Sequence, residues 1–270
     1  MRMQEVFEFG GSKIHYLDTG KGNTIVLLHG FGEDSQIWNR QVTQLQQDYR
    51  LIVPDLPGSG NSSMLSTPDT IEAYATAIEA LLSHLSVNKC IMLGHSMGGY
   101  ITLAFAEVFP ERLLGWGLIH STAFADSEEK KMNRQRGIEL MQQYGAYAFL
   151  RNTIPNLFAE SFKKQKPDVL DELIESAKAF TAEACCAYYK AMKDRPDRTH
   201  VLSGNKKPVL FVLGTEDVAA PLNDLLQQVH LPSTAYIHIL EGVGHMGMLE
   251  ATKKVNAHVA EFAADIFKAQ

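Results

Sequence analysis

Cysteine is scarce, with 3 residues in 270; Cys185 and Cys186 are adjacent and Cys90 lies in an apolar run. Three thiols cannot make a disulfide framework, and the pattern fits a reducing compartment with the sulfurs packed as small hydrophobes. No apolar run approaches the roughly 18 residues that a membrane helix needs. Met1 to Phe9 alternates charged and apolar residues and lacks the long apolar stretch of a secretion signal. A cytoplasmic protein is therefore expected. Basic charge is not in excess, since 25 Lys and Arg face 31 Asp and Glu for a net charge of -6. That balance argues against nucleic acid or an anionic membrane as partner. No histidine pair has the H-E-x-x-H spacing of a metal hydrolase, so neither metal nor cofactor is expected.

What is present is an ordinary globular composition, 45% hydrophobic and 21% charged. A chain of this size can bury about three quarters of its unfolded surface, so a full core needs no staples. Short apolar runs alternate with helix-period segments. Val6 to Phe9 and Lys13 to Asp18 flank Gly10-Gly11, a hairpin signal. Further strands are read at Thr24 to Leu28, Arg50 to Val53, Lys89 to Leu93, Leu113 to Ile119, Pro208 to Leu213 and Ala235 to Leu240. Helices are read at Ser35 to Gln47, from a Thr67 cap with Pro68 and Asp69 to about Ser86, at Met97 to Val108, Pro221 to Gln228 and Ala251 to Phe267. Unbroken apolar strands alternating with helices predict an α/β fold with a mostly parallel sheet covered on both faces. From about Ser121 to Asn205 no strand is legible. Helical segments at Glu128 to Tyr144, Ala146 to Asn152, Asp168 to Phe180 and Thr181 to Lys193 predict a helical insertion.

The chemistry concentrates at Gly94-His95-Ser96-Met97-Gly98, a G-x-S-x-G turn between a strand and a helix. Such a turn holds its serine in a strained conformation above the sheet and aims the next helix's N-terminus at whatever the serine attacks. A serine hydroxyl needs a base, and the base needs an orienting acid. Both belong on loops at the carboxyl ends of strands. Asp217, after the strand ending at Leu213, is the expected acid, with neighbouring Glu216 read as solvated; His245, after the strand ending at Leu240, is the expected general base. The oxyanion donors are expected from the backbone N–H groups of Phe31 and Met97. His29 is read as fixing its own loop and His95 as lying behind the cleft.

These residues resemble the α/β-hydrolase superfamily, in its capped esterase/lipase-like branch. The resemblance rests on His29-Gly30-Phe31-Gly32, Asp55-Leu56-Pro57-Gly58-Ser59-Gly60, Gly94 to Gly99, Gly214 to Asp217 with Pro221, and Gly244-His245 with Glu250. It implies an eight-stranded sheet with an antiparallel second strand, flanked by helices, with a helical cap between strands six and seven. The implied organisation is a hydrolase core of residues 1–121 and 206–270 with a cap of residues 122–205. The resemblance also implies Ser96, Asp217 and His245 as triad, and Asp55 and Gly58 as a structural turn. Pro57 departs from the arginine common at that position, so the ion pair often seen there is not expected.

The partner expected is a small-molecule substrate. Pocket candidates are Gly30, His120, Phe124, Tyr144 and Met246. The motifs hold no arginine to clamp a carboxylate, which favours neutral, largely apolar esters. Carbon–carbon bond cleavage, thioester and lactone hydrolysis use the same triad and stay open as alternatives. A ligand-sensing receptor that keeps the fold is the alternative of another class.

Overall fold

The computed structural model describes residues 5–66 and 70–269. Eight strands are formed, β1 (Glu5–Phe9), β2 (Ser12–Thr19), β3 (Thr24–Leu28), β4 (Arg50–Pro54), β5 (Cys90–His95), β6 (Leu113–Ile119), β7 (Val209–Gly214) and β8 (Ala235–Leu240). They make one sheet in the order β1-β2-β4-β3-β5-β6-β7-β8. β2 runs antiparallel to both neighbours and every other pairing is parallel. The glycine pair at the first turn closes the β1–β2 hairpin, with both glycines at positive φ.

Strand side chains alternate between two apolar layers. Val26, Leu28, Ile52, Met92 and Phe211 face one cluster, and Ile25, Leu27, Leu51, Leu93 and Val212 face the other. The first layer is covered by α2 (Ile71–His84) and α3 (Met97–Val108), and the second by α1 (Asn39–Leu45) and the long C-terminal helix Thr252–Lys268. Strands buried on both faces are why these segments read as unbroken apolar runs. β1 and β8 are the exceptions. As edge strands they leave Val6, Ile237 and Ile239 exposed.

The predicted start of α2 at Thr67, Pro68 and Asp69 lies outside the described residues; the helix is capped by Thr70, whose side chain accepts from the Ala73 N–H at 3.1 Å. The segment expected as one helix from Ser35 opens with a 3-10 turn at Ser35–Trp38 before α1. Its cap is Asp34, which accepts from the Gln36 N–H.

Between β6 and β7 the described residues hold no strand. The helices there are α4 (Glu128–Tyr144), α5 (Ala146–Thr153), α6 (Glu160–Gln165), α7 (Pro167–Ser176), α8 (Ala182–Asp194) and α9 (Thr199–Ser203). α6 and α9 escape the sequence reading because each is too short to show a helical period. The insertion is fastened by buried charge. Asp126, ahead of α4, pairs with Arg134 and with Arg195, whose Nη1 lies 2.8 Å from Asp126 Oδ1. Arg195 also stacks on Tyr100 of α3, with 3.7 Å from guanidinium to ring centroid. Beyond α9 come the short helices α10 (Leu222–Leu226) and α11 (Gly247–Glu250), then α12 (Thr252–Lys268).

Candidate active site

Because β3 and β5 to β8 run parallel and in register, their carboxyl ends lie along one edge. Leu28 pairs with Gly94, His95 with Ile119, Ile119 with Val212, and Gly214 with Leu240. The loops that leave this edge carry Gly30 to Glu33, Ser96, His120, Asp217 and His245.

Ser96 sits at φ 51 and ψ −115, a backbone conformation that few side-chain-bearing residues adopt. Two glycines permit it. A Cβ on Gly94 would lie 2.1 Å from the Gly98 carbonyl oxygen, and one on Gly98 would lie 2.4 Å from that of Leu28. Three hydrogen bonds hold the turn. The Ser96 N–H donates to Ile119 at 3.0 Å, and the Ser96 carbonyl accepts from Gly99 N–H at 2.9 Å and Ser121 Oγ at 2.7 Å. The Ser96 side chain is half-buried between fully buried neighbours, and its hydroxyl has no partner among the described residues.

Asp217 is buried while Glu216 is exposed, which separates the two carboxylates as the sequence reading expects. The carboxylate of Asp217 is fixed by its own turn, accepting the N–H groups of Ala219 at 2.9 Å and Ala220 at 2.8 Å. It also accepts from His245 Nδ1 at 2.8 Å and His120 Nδ1 at 3.1 Å. Burial alone would raise its pKa, but the two imidazoles outweigh that and hold it well below the usual carboxylate range. Burial would lower His245, but Asp217 outweighs it and raises the imidazole above its ordinary value. Nε2 of His245 carries no hydrogen bond and is not sealed in protein.

The loop that carries His245 is fixed by backbone bonds. The His245 N–H donates to Leu157 of the insertion at 2.7 Å. Glu250 brackets the same loop, accepting from Met246 N–H at 3.1 Å, Gly244 N–H at 3.2 Å and Ala159 N–H at 2.9 Å.

On the opposite side, Gly30 lies against the elbow, where a Cβ would meet Ser96 Cβ at 3.2 Å. The Phe31 N–H has no acceptor among the described residues, and that of Met97, first in α3, has none within its helix. His29 fixes its loop as expected. Its Nε2 accepts the Leu56 N–H at 2.9 Å and its Nδ1 lies 2.8 Å from the Gly30 carbonyl. Asp55 is likewise structural, accepting from Ser35 N–H at 2.9 Å and Asn61 N–H at 3.0 Å.

The pocket candidates divide. Gly30 and His120 are at the site. Phe124 lines a cavity of about 200 Å³ with Thr122, Ala220 and Pro221. Two require correction. Tyr144 is 62% exposed at the last residue of α4, beside exposed Gln142 and Gln143, so it faces solvent. Met246 is fully buried in the second apolar layer, as is Met248, so both fill core space. Glu33 was not legible as part of the site. The available signal was a carboxylate directly after the glycine-rich turn Gly30-Phe31-Gly32, with a second acid, Asp34, beside it.

Two groups of side chains among the described residues could hold a metal ion, His120 with Asp217 and His245, and His238 with His258 and Glu261; within each the donor atoms lie within 4.8 Å of one another. The first group joins three separate loops, and the second joins His238 of β8 to His258 and Glu261, three residues apart on α12, so neither shows as one local motif in the sequence. In the first group the imidazoles already hydrogen-bond to the carboxylate, which meets its charge. No helix among the described residues is long and apolar enough to cross a membrane.

Comparison with known proteins shows what the chain is similar to as a whole. A model of the Alpha/beta hydrolase family matches residues 25–258. A 2-hydroxy-6-oxononadienedioate/2-hydroxy-6-oxononatrienedioate hydrolase of Pseudomonas putida is 30% identical over 269 residues, covering 92% of this chain and 91% of the relative. One of the same name from Burkholderia vietnamiensis is 29% identical, covering 93% and 90%. Among solved structures, a thermophilic esterase from Thermogutta terrifontis with malate bound is similar at a TM-score of 0.91 and 29% identity, covering 98% of this chain and 99% of the other.

Proposed function

The chain belongs to the alpha/beta hydrolase family, and from that premise we propose that Ser96, His245 and Asp217 form a nucleophile, base and acid that cleave carboxylic esters. One observation carries the reading. A serine strained into a strand-to-helix elbow shares its sheet edge with an imidazole anchored through Nδ1 on a buried carboxylate. His245 Nε2 takes the Ser96 proton as Oγ attacks the ester carbonyl. The tetrahedral oxyanion is received by the N–H groups of Phe31 and Met97. His245 then gives the proton to the leaving alcohol, and an ester joins acyl group to Ser96. Water, deprotonated by the same imidazole, resolves that ester to acid and free serine. Asp217 keeps the imidazole in one tautomer and balances its charge.

The substrate in this reading is a small to medium, neutral and largely apolar ester. Residues 122–205 act as the cap over a core of residues 1–121 and 206–270. Fixing of the His245 backbone by Leu157 supports a cap that helps to shape the site. The similarity to an esterase structure supports ester cleavage, and the similarity to hydrolases named for 2-hydroxy-6-oxo acids supports a second reading, carbon–carbon bond hydrolysis by the same residues. Turnover of a panel decides between them. Chromogenic acetate and butyrate esters turned over by wild type and not by Ser96→Ala support the first. Turnover confined to a vinylogous diketone replaces it with the second.

A further inference from the structure

Behind the cleft, His95 spans two acceptors. Its Nδ1 lies 3.0 Å from Glu33 Oε2 and its Nε2 lies 3.0 Å from the backbone oxygen of His245. The same Glu33 oxygen accepts the Gly30 N–H at 2.7 Å. Both side chains are sealed from solvent, with His95 at 0% and Glu33 at 4% exposure. A carboxylate and a carbonyl can only accept. A neutral imidazole has one N–H, so it would turn a lone pair toward one of these oxygens. The imidazolium has two and satisfies both. The alternative is a neutral imidazole accepting from a protonated Glu33, and it requires the carboxyl to hold a proton while its Oε2 accepts the Gly30 N–H, an acceptor role that favours the ionised form. Burial alone would raise the Glu33 carboxyl, but His95 outweighs it and holds it below its ordinary value.

Resting on the triad reading above, we propose that His95 is a positioning residue, an imidazolium fixed by Glu33 that ties the oxyanion loop to the backbone of the base. His95 ends β5 and immediately precedes Ser96, so this one side chain links three segments that must act together. Gly30 is pressed against it, since a Cβ there would meet His95 Nδ1 at 2.9 Å.

The surrounding charges suit a permanent cation. Glu33 faces His95 from the loop after β3, with His29 acting on Glu33 from the start of that loop. The His245 ring lies 4.9 Å away and the His120 ring 6.2 Å away, with Asp217 between those two and Glu250 near His245. Trp38 meets it edge-on from the second layer. Burial outweighs Asp217 at His120 and keeps it below its ordinary value, so it is neutral. Glu33 therefore balances a cation at His95, and Asp217 balances a transient cation at His245.

The test uses histidine-labelled wild-type protein without ligand. Nitrogen NMR at neutral pH is expected to show both ring nitrogens of His95 carrying a proton, as the two acceptors facing them require. Glu33→Gln is expected to return His95 to a neutral ring. A His95 nitrogen that is unprotonated in wild type overturns the proposal, whether or not any variant folds. Kinetically, Glu33→Gln and His95→Gln are each expected to lower kcat about 10- to 100-fold with KM changed less than about threefold. The double variant is expected to be no worse than either single one. Losses that multiply, or that fall on KM alone, overturn it. Failure of a fluorophosphonate to label wild-type Ser96 strikes the triad reading instead and leaves the NMR signature standing.

Discussion

Asp217 is shared by two histidines, its Oδ2 lying 2.8 Å from His245 Nδ1 and 3.1 Å from His120 Nδ1. The two imidazoles are not equivalent. Asp217 raises His245, whose Nε2 is open, whereas burial lowers His120, whose Nε2 is sealed with no partner. His120 is thus a neutral donor that holds the acid, and His245 is the group that titrates. The closeness is enforced at Gly247, where a Cβ would lie 2.3 Å from His120 Nε2.

Asp217→Asn is expected to lower kcat by on the order of 10⁴ with the fold intact, because the amide turns the imidazole to the wrong tautomer. His120→Leu removes one hydrogen bond to a charged group and is expected to lower kcat/KM about tenfold or more. His120→Asn keeps a donor and suits the φ of 50 at that position, so it loses less. Ester kinetics with circular dichroism of each variant checks this.

The pH profile carries a definite sign. His245, the proposed base, can take a proton only when neutral, and Asp217 raises its pKa, so the imidazolium persists to higher pH than in a free histidine. kcat/KM is expected to rise with pH through a midpoint above about 6.5. Asp217→Asn moves that midpoint down. A flat profile, or a midpoint below the ordinary histidine value, contradicts the assignment of the base.

The elbow tolerates no side chain at its glycines. Gly98→Ala would put a methyl group 2.4 Å from the Leu28 carbonyl, and rigid backbone on both sides leaves no room to yield. The variant is expected to lose soluble yield or, where it folds, most of its ester turnover. Gly145→Ala is the contrast. Its Cβ would meet nothing within 4 Å, so only the φ of 85 opposes it. Its activity is expected to stay near wild type, with a stability cost of about 1–3 kcal/mol by urea denaturation, because φ 85 with ψ 159 is a conformation essentially confined to glycine.

Asp126 holds two guanidiniums at the start of the insertion, with 5% exposure for the residue. Asp126→Asn leaves both short of counter-charge and is expected to cost about 3–5 kcal/mol at neutral pH. Arg134 and Arg195 keep the folded-state pKa of Asp126 low although burial raises it. Its contribution is therefore present above the unfolded value and is lost as the pH falls through the folded one. The gap between wild type and variant should shrink as the pH drops below about 4. Urea denaturation at both pH values measures it.

Much of this arrangement was legible along the chain. Alternating apolar runs predicted the sheet, because its strands are covered on both faces, and strand ends predicted which loops share an edge. Glu33 escaped because its role depends on His95, which is distant in sequence and meets it only through the β3–β5 pairing. The Asp126, Arg134 and Arg195 cluster escaped for the same reason. Tyr144 and Met246 misled because aromatic and methionine content cannot tell an exposed helix end or a filled core from a pocket wall.

The account depends first on Ser96 being the nucleophile. Incubation of active protein with a fluorophosphonate, followed by peptide mapping, is expected to place one adduct on Ser96 in step with loss of ester turnover. Ser96→Ala is expected to show neither adduct nor turnover. Full turnover by Ser96→Ala, or inactivation with the adduct on another residue, would contradict the account.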